Sequence, residues 1–225
     1  MTAPRAFFVT GTDTGVGKTY VCLALMASAR MAGLSVVGLK PVASGCDRGP
    51  QGPVSQDALR LMSEASVQLP YRTVNPWAFE APIAPHLAAA GQGTRIDLRV
   101  VEQSLARARA TADLVVVEGI GGWLAPLTET ATVADMVCDL GLPVVLVVGL
   151  RLGCLNHALL TSESIAARGL SLIGWVANEL TPRMLALDEN VAALQARLCA
   201  PLLGRLPYAA TPSPQDAAGH LRLPG

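Results

Sequence analysis

A glycine-rich turn ending in Lys-Thr constrains this chain more than any other feature. GTDTGVGKT, residues 11–19, follows the apolar run 7–10 and opens an amphipathic stretch, 18–32. A strand that feeds such a turn, and a turn that feeds a helix, give a Walker A match its weight. Backbone N–H groups of the turn converge on phosphate oxygens, and the helix N-terminus adds positive potential. Gly15 and Gly17 let the backbone approach without a Cβ clash. Lys18 is expected to neutralise the β- and γ-phosphates, and Thr19 to set its hydroxyl on Mg²⁺. The strict G-x-x-x-x-G-K-T spacing asks for glycine at position 12. This chain has Thr12 there, and the glycine stands one residue earlier, at Gly11.

The remaining sequence alternates short apolar runs with amphipathic stretches. Strands are expected at 7–10, 35–39, 114–117, 143–148, 172–177 and 202–206. Helices are expected at 18–32 (closed by Gly33), 56–65, 98–112, 133–140, 156–168 and 182–199. Residues 44–53 read as a loop because glycine and proline interrupt them, and residues 75–85, with three prolines and two aromatics, read as an ordered loop. Alternation of this kind argues a mostly parallel sheet with helices on both faces, an α/β, P-loop NTPase-like fold. No linker or repeat divides residues 1–225, so a single domain is expected, with 207–225 as a surface wrap.

Composition narrows the function. Hydrophobic residues make up 51% and charged residues 15%, which excludes a disordered or coiled-coil chain and favours elements buried on both faces. Lys plus Arg and Asp plus Glu balance at 17 each, so nothing points to nucleic acid or an anionic membrane. The longest apolar runs, such as 144–148, fall far short of the roughly 20 residues of a membrane helix. The apolar run 6–9 is too short for a signal peptide. The cysteines, Cys22, Cys46, Cys138, Cys154 and Cys199, form no Cys-x-x-Cys pair. They read as reduced thiols of a cytoplasmic protein. His86, His157 and His220 make no metal spacing.

Ligands in such folds sit beyond the carboxyl ends of the strands. LVVVEG, 114–119, is an apolar strand that ends in an acid, the Walker B arrangement with Glu118 in place of the usual Asp. Glu118 is a candidate Mg²⁺ ligand, although alone it reads as a surface acid. Asp57 opens a helix and reads either as a metal ligand or as an acid favoured by the helix dipole. Lys40 ends a strand in KPVASG. It faces a phosphoryl group in one reading and snorkels to solvent in the other.

Taken together, several segments resemble the dethiobiotin synthetases. They are GTDTGVGKT, KPVASG, TVNPWAFEAPIAPH, VEGIGGW, VVGLRLGCLNH, GWVANE and PLLGRLPY, in order and over nearly the full length. The resemblance implies ATP- and Mg²⁺-dependent closure of a cyclic urea from 7,8-diaminopelargonic acid and CO₂ by a homodimer. It implies Lys18, Lys40 and Ser44 as catalytic residues, with Lys40 and Ser44 also touching the diamine. Thr19, Asp57 and Glu118 would hold Mg²⁺. Thr14, Gly15, Val16, Gly17, Tyr20, Gly119, Ile120 and Gly121 would line the nucleotide's phosphates. Asn178, Glu179, Pro207, Tyr208 and Ala209 would form the base pocket. Gly153, Cys154, Leu155 and Asn156 begin a helix whose free N–H groups suit the substrate carboxylate, contributed by the neighbouring subunit. Gly15, Ala84, Arg151 and Thr211 depart from the pattern of some relatives. Ala84 loosens the expected diamine contacts, and Thr211 leaves the choice of nucleotide open.

Three other readings share the phosphate loop, and one of them, a non-catalytic nucleotide-binding module, leaves Lys40 and Asp57 unexplained. An amidotransferase synthetase needs a glutamine-hydrolysing domain, and only a short tail follows residue 210. A partition or division-site ATPase places a lysine early in its loop, where this chain has Asp13.

Overall fold

In the computed structural model, residues 6–211 and 213–225 are described. Residues 1–5, which precede the first apolar run, and Pro212, within the expected tail, lie outside the described residues. β1 (Ala6–Gly11) is buried at every position, as an unbroken apolar strand must be when helices cover both faces. The chain passes through the glycine-rich turn into α1 (Lys18–Met31) and returns along β2 (Val36–Leu39). Short elements follow: β3 (Val42–Ser44), β4 (Asp47–Gly49), β5 (Gly52–Val54), α2 (Gln56–Glu64), α3 (Tyr71–Val74), β6 (Trp77–Phe79) and α4 (Pro85–Gly91). Helix α5 (Leu98–Arg109) leads to β7 (Leu114–Glu118). Then come α6 (Val133–Leu140), β8 (Val144–Leu150), α7 (Cys154–Ala167), β9 (Leu172–Glu179), α8 (Leu187–Gln195), β10 (Leu202–Leu206) and α9 (Pro214–Ala218).

The main sheet runs β10-β9-β8-β1-β7-β2, and its pairings are parallel throughout. Period-two alternation sorts its side chains onto two faces. Phe7, Val9, Val116 and Val147 cluster with Val21, Leu25, Met26 and Ala29 of α1. Ala6, Phe8, Val115 and Val117 cluster instead with Val101 and Leu105 of α5 and Val133 and Val137 of α6. A third cluster joins Leu146, Val148 and Trp175 to α7 and α8. Each large side chain so buried stabilises the fold by about 1.5–3 kcal/mol. Among the described residues no helix is long and apolar enough to cross a membrane.

The expected long strands and helices are present, with shifted ends. The helix expected from 182 begins only at Leu187, because Ala186 takes a left-handed conformation at φ 52. The helix expected from 156 begins earlier, at Cys154, because Gly153 turns the chain at φ 93. The helix expected to reach 112 stops at Arg109.

Two expected loops are partly ordered as sheet. Residues 44–53 hold most of an antiparallel hairpin, β4 with β5, which turns at Pro50 and Gln51, and Gly52 opens β5 at φ 115. Residues 75–85 hold β6, which pairs in parallel with β3. Strands of three residues are too short to show a period in the sequence. In the tail, α9 packs along α1, where Ser28 Oγ donates to the Ala218 carbonyl at 3.2 Å. That agrees with a surface wrap.

Candidate active site

Strand order places β7 between β1 and β2, so the loops leaving the carboxyl ends of these three strands converge. They enclose a cleft of about 760 Å³. Thr14, Gly15, Gly17, Lys18, Thr19 and Tyr20 reach it from the phosphate loop and α1. Lys40 and Ser44 reach it from the ends of β2 and β3, and Asp57 from the first turn of α2. Glu118, Ile120 and Gly121 reach it from β7 and its following turn.

The phosphate loop is held from below. Gly17 has φ 91, and a Cβ there would strike the Asn178 amide. That amide donates to the Val16 carbonyl at 2.9 Å. A Cβ at Gly11 would meet the Val16 and Lys18 side chains, so the glycine one position early serves this loop's own packing. Lys18 Nζ donates to the carbonyls of Asp13 (2.9 Å) and Gly121 (2.6 Å). Burial first, and then the neighbouring Lys40 charge, bring its pKa down to about 8. Two cations drawn together out of water suit a site that receives several negative charges.

Lys40 is 4% exposed and Glu118 1% exposed. The Lys40 Nζ lies 2.5 Å from Glu118 Oε1 and 3.0 Å from Asp57 Oδ2, and it donates to the Gly119 carbonyl at 3.1 Å. Burial works against the Lys40 charge, but Glu118 and Asp57 outweigh it and hold the pKa above the ordinary value. Burial also tends to raise Asp57, where Lys40 and the Thr19 hydroxyl prevail and hold the carboxyl low. For Glu118, burial dominates and lifts the carboxyl despite Lys40.

Thr19 Oγ1 donates to Glu118 Oε1 at 2.7 Å, while Glu118 Oε2 is buried with no hydrogen-bond partner. An orphaned carboxylate oxygen, a second carboxylate and a hydroxyl form a hard, all-oxygen donor set that fits Mg²⁺. Among the described residues no three His, Cys, Asp or Glu side chains gather as a metal cage. A cation held by one or two carboxylates and shared with phosphate is how Mg²⁺ is usually bound.

Other expected residues lie outside this cleft. Glu179, at the end of β9, pairs with Arg205 at 2.6 Å, and Arg205 also takes Asp188 at 2.5 Å. Pro207, Tyr208 and Ala209 are exposed beyond β10. Gly153, Cys154, Leu155 and Asn156 start α7 beyond β8, and Cys154 is buried. The adjoining Arg151 ties that turn to the phosphate loop through Asp13, at 2.5 Å. Of the departing residues, Ala84 lines the cleft with Ile83 and Pro85.

Two residues of consequence escaped the sequence reading. Arg60 lines the cleft one turn after Asp57, and the i, i+3 spacing on one helix face was the available signal. Asn75 is 2% exposed and bonded to the Lys40 backbone. Its position before a proline suggested only a loop.

A family model described as an AAA domain matches residues 5–215. A protein named ATP-dependent dethiobiotin synthetase BioD, from Xanthomonas oryzae pv. oryzae (strain PXO99A), is 52% identical over 221 residues, 98% of this chain and 99% of that one. Another of the same name, from Aromatoleum aromaticum, is 48% identical over 225 residues, 100% of both chains. Among solved structures, the Aquifex aeolicus MinC:MinD cell division complex matches with a TM-score of 0.54 at 12% identity, over 92% of this chain and 82% of that one. The cell division protein FtsY of Thermotoga maritima matches with a TM-score of 0.53 at 14% identity, over 96% of this chain and 65% of that one. This chain thus spans less than two thirds of that FtsY chain. At such identities the structural likeness speaks to a P-loop NTPase-like α/β fold alone. Identity near one half along the whole length is another matter, and by it the chain belongs to the ATP-dependent dethiobiotin synthetase family.

Proposed function

We propose that this chain closes the cyclic urea of dethiobiotin from 7,8-diaminopelargonic acid and CO₂, with ATP and Mg²⁺. The observation that carries the reading is the buried Lys40, held between Glu118 and Asp57 beside Lys18 in one cleft. One amine of the diamine adds to CO₂ and loses a proton, giving a carbamate. A carbamate oxygen then attacks the γ-phosphorus, the bond to the β–γ bridging oxygen breaks, and ADP leaves. The product is a carbamic–phosphoric mixed anhydride. The second amine attacks its carbonyl carbon, loses a proton, and expels inorganic phosphate as the ring closes.

The difficulty is that two anions must meet, and positive charge placed beforehand offsets their repulsion. Lys18 faces the β- and γ-phosphates, and Lys40 bridges the γ-phosphoryl group and the carbamate. Ser44 and Thr14 orient the reactants. Thr19, Asp57 and Glu118 would hold Mg²⁺, which would supply charge neutralisation at the phosphates. Asn178, Glu179, Pro207, Tyr208 and Ala209 border the base. The helix start at Gly153, Cys154, Leu155 and Asn156 receives the substrate carboxylate from across a homodimer interface. Residues 1–225 act as one domain, in the cytoplasm.

The test mixes purified protein with the diamine, bicarbonate and MgATP. Dethiobiotin and phosphate are expected in equal amounts. ATP hydrolysis indifferent to the diamine would instead mark a nucleotide switch. Lys18→Ala and Lys40→Ala should each lower turnover by about 10²–10³-fold or more.

A further inference from the structure

Lys40 reaches three partners through its side chain, and its backbone is held just as closely. Its N–H donates to the Val74 carbonyl at 2.8 Å. Its carbonyl accepts from Asn75 Nδ2 at 2.6 Å. The other end of the Asn75 amide, Oδ1, accepts from the Tyr71 hydroxyl at 2.8 Å. That hydroxyl in turn accepts from the backbone N–H of Ser55 at 2.7 Å. Ser55 is the N-cap of α2, and its side chain accepts from Ala58 N at 3.3 Å. Asp57 follows two residues later and returns to Lys40 at 3.0 Å. The chain of contacts Ser55–Tyr71–Asn75–Lys40–Asp57 therefore closes on itself.

A second cavity, of about 880 Å³, lies behind this chain and is lined by Tyr71, Asn75, Trp77, Leu59 and Met62. It shares no lining residue with the catalytic cleft. Tyr71 packs against the core on one side, and toward the cavity the hydrogen bonds set where its hydroxyl and the Asn75 amide stand.

We propose that Tyr71 and Asn75 are positioning residues, a hydrogen-bonded strut that fixes the distance between the Lys40 backbone and the start of α2, and so aims Lys40 and Asp57 into the cleft. Neither side chain lines the catalytic cleft. Each acts through a backbone: Asn75 through the Lys40 carbonyl, Tyr71 through the Ser55 N–H. The inference rests on the roles given above to Lys40 and Asp57.

The experiment compares Tyr71→Phe, Asn75→Ala, the double variant and Lys40→Ala. It measures kcat with saturating diamine, bicarbonate and MgATP, and MgATP affinity by titration calorimetry on the same preparations. Misplacing a catalytic group by about 1 Å lowers the rate up to about 100-fold, so kcat is expected to fall about 10- to 100-fold in both single variants. MgATP affinity should weaken far less than kcat, because Lys18 and its loop are carried by other elements even where Asp57 shifts with α2. The double variant should match Asn75→Ala within about twofold, since both changes cut one strut. Wild-type kcat in Tyr71→Phe would overturn the proposal. So would losses that multiply in the double variant, or affinity that weakens in step with kcat, the mark of general damage. Should Asn75→Ala fail to fold, Tyr71→Phe decides, because it removes one oxygen and keeps the ring. Lys40→Ala at wild-type turnover would instead sink the reading of the site itself.

Discussion

Replacing Lys40 with methionine removes the cation from a buried pair while keeping much of the side chain's bulk. Glu118, at 1% exposure, would keep the Thr19 hydroxyl as its partner and lose the ammonium 2.5 Å away. Breaking a buried pair by removing one partner costs about 3–5 kcal/mol, because a charge is left uncompensated. For a chain of this size that is a fall in Tm of about 6–20 °C. Asp57, with its side chain 40% exposed, can turn to water and adds little.

Protonation limits the damage. Burial already lifts the Glu118 carboxyl above its ordinary 4.5, and removal of Lys40 lifts it further. With the folded pKa above the unfolded one, the folded state holds the extra proton. Stability of the variant therefore falls as pH rises between those two values, and its deficit is larger at pH 8 than at pH 5. Urea unfolding at both pH values measures this, together with the cycle completed by Glu118→Gln and the double variant. The double variant should recover most of the loss, giving a coupling above about 2 kcal/mol. Additive losses, or a deficit independent of pH, would refute the argument that Glu118 depends on Lys40 for its charge.

Further outcomes are expected. Asp135 is held at about 2 by the Thr132 hydroxyl and N–H and then by Arg168. Its folded pKa lies below the unfolded one, so its contribution is full above about 4 and is lost as pH falls toward 2. Asp135→Asn should then cost about 1 kcal/mol at pH 7 and distinctly less at pH 3, and an equal cost at both would reject the capping role. Gly17→Ala adds a Cβ at φ 91 against the Asn178 amide. It should store about 1–3 kcal/mol of strain in the phosphate loop and weaken MgATP binding roughly in proportion, and unchanged affinity by calorimetry would count against it. Leu152 is 97% exposed beside the turn assigned to the substrate carboxylate. Leu152→Asp should give monomers in sedimentation and raise KM for the diamine about tenfold or more, with MgATP affinity kept. A dimer with wild-type KM would remove the partner subunit from the substrate site.

Much of this molecule is written in short stretches of its chain. The apolar run 114–117, bounded by Asp113 and Gly119, reads as a strand covered on both faces, and a helix opening with Lys18 behind Gly15 and Gly17 reads as a phosphate site. These are local facts, fixed by side-chain period and backbone freedom within a dozen residues. Other features depend on partners that the chain brings together from afar. Nothing near Lys40 says that it will sit between Glu118, 78 positions on, and Asp57. That follows from β7 entering the sheet between β1 and β2, and strand order is a property of long-range pairing. The hairpin of β4 and β5, and β6 beside β3, have too few residues to carry a period of their own, so they exist because a neighbour pairs with them. Asn75 is the clearest case. Before a proline it reads as a turn residue, and it becomes a strut only because folding lays it under the Lys40 carbonyl. A buried backbone oxygen there needs a donor, and the sequence cannot show which carbonyls will be buried.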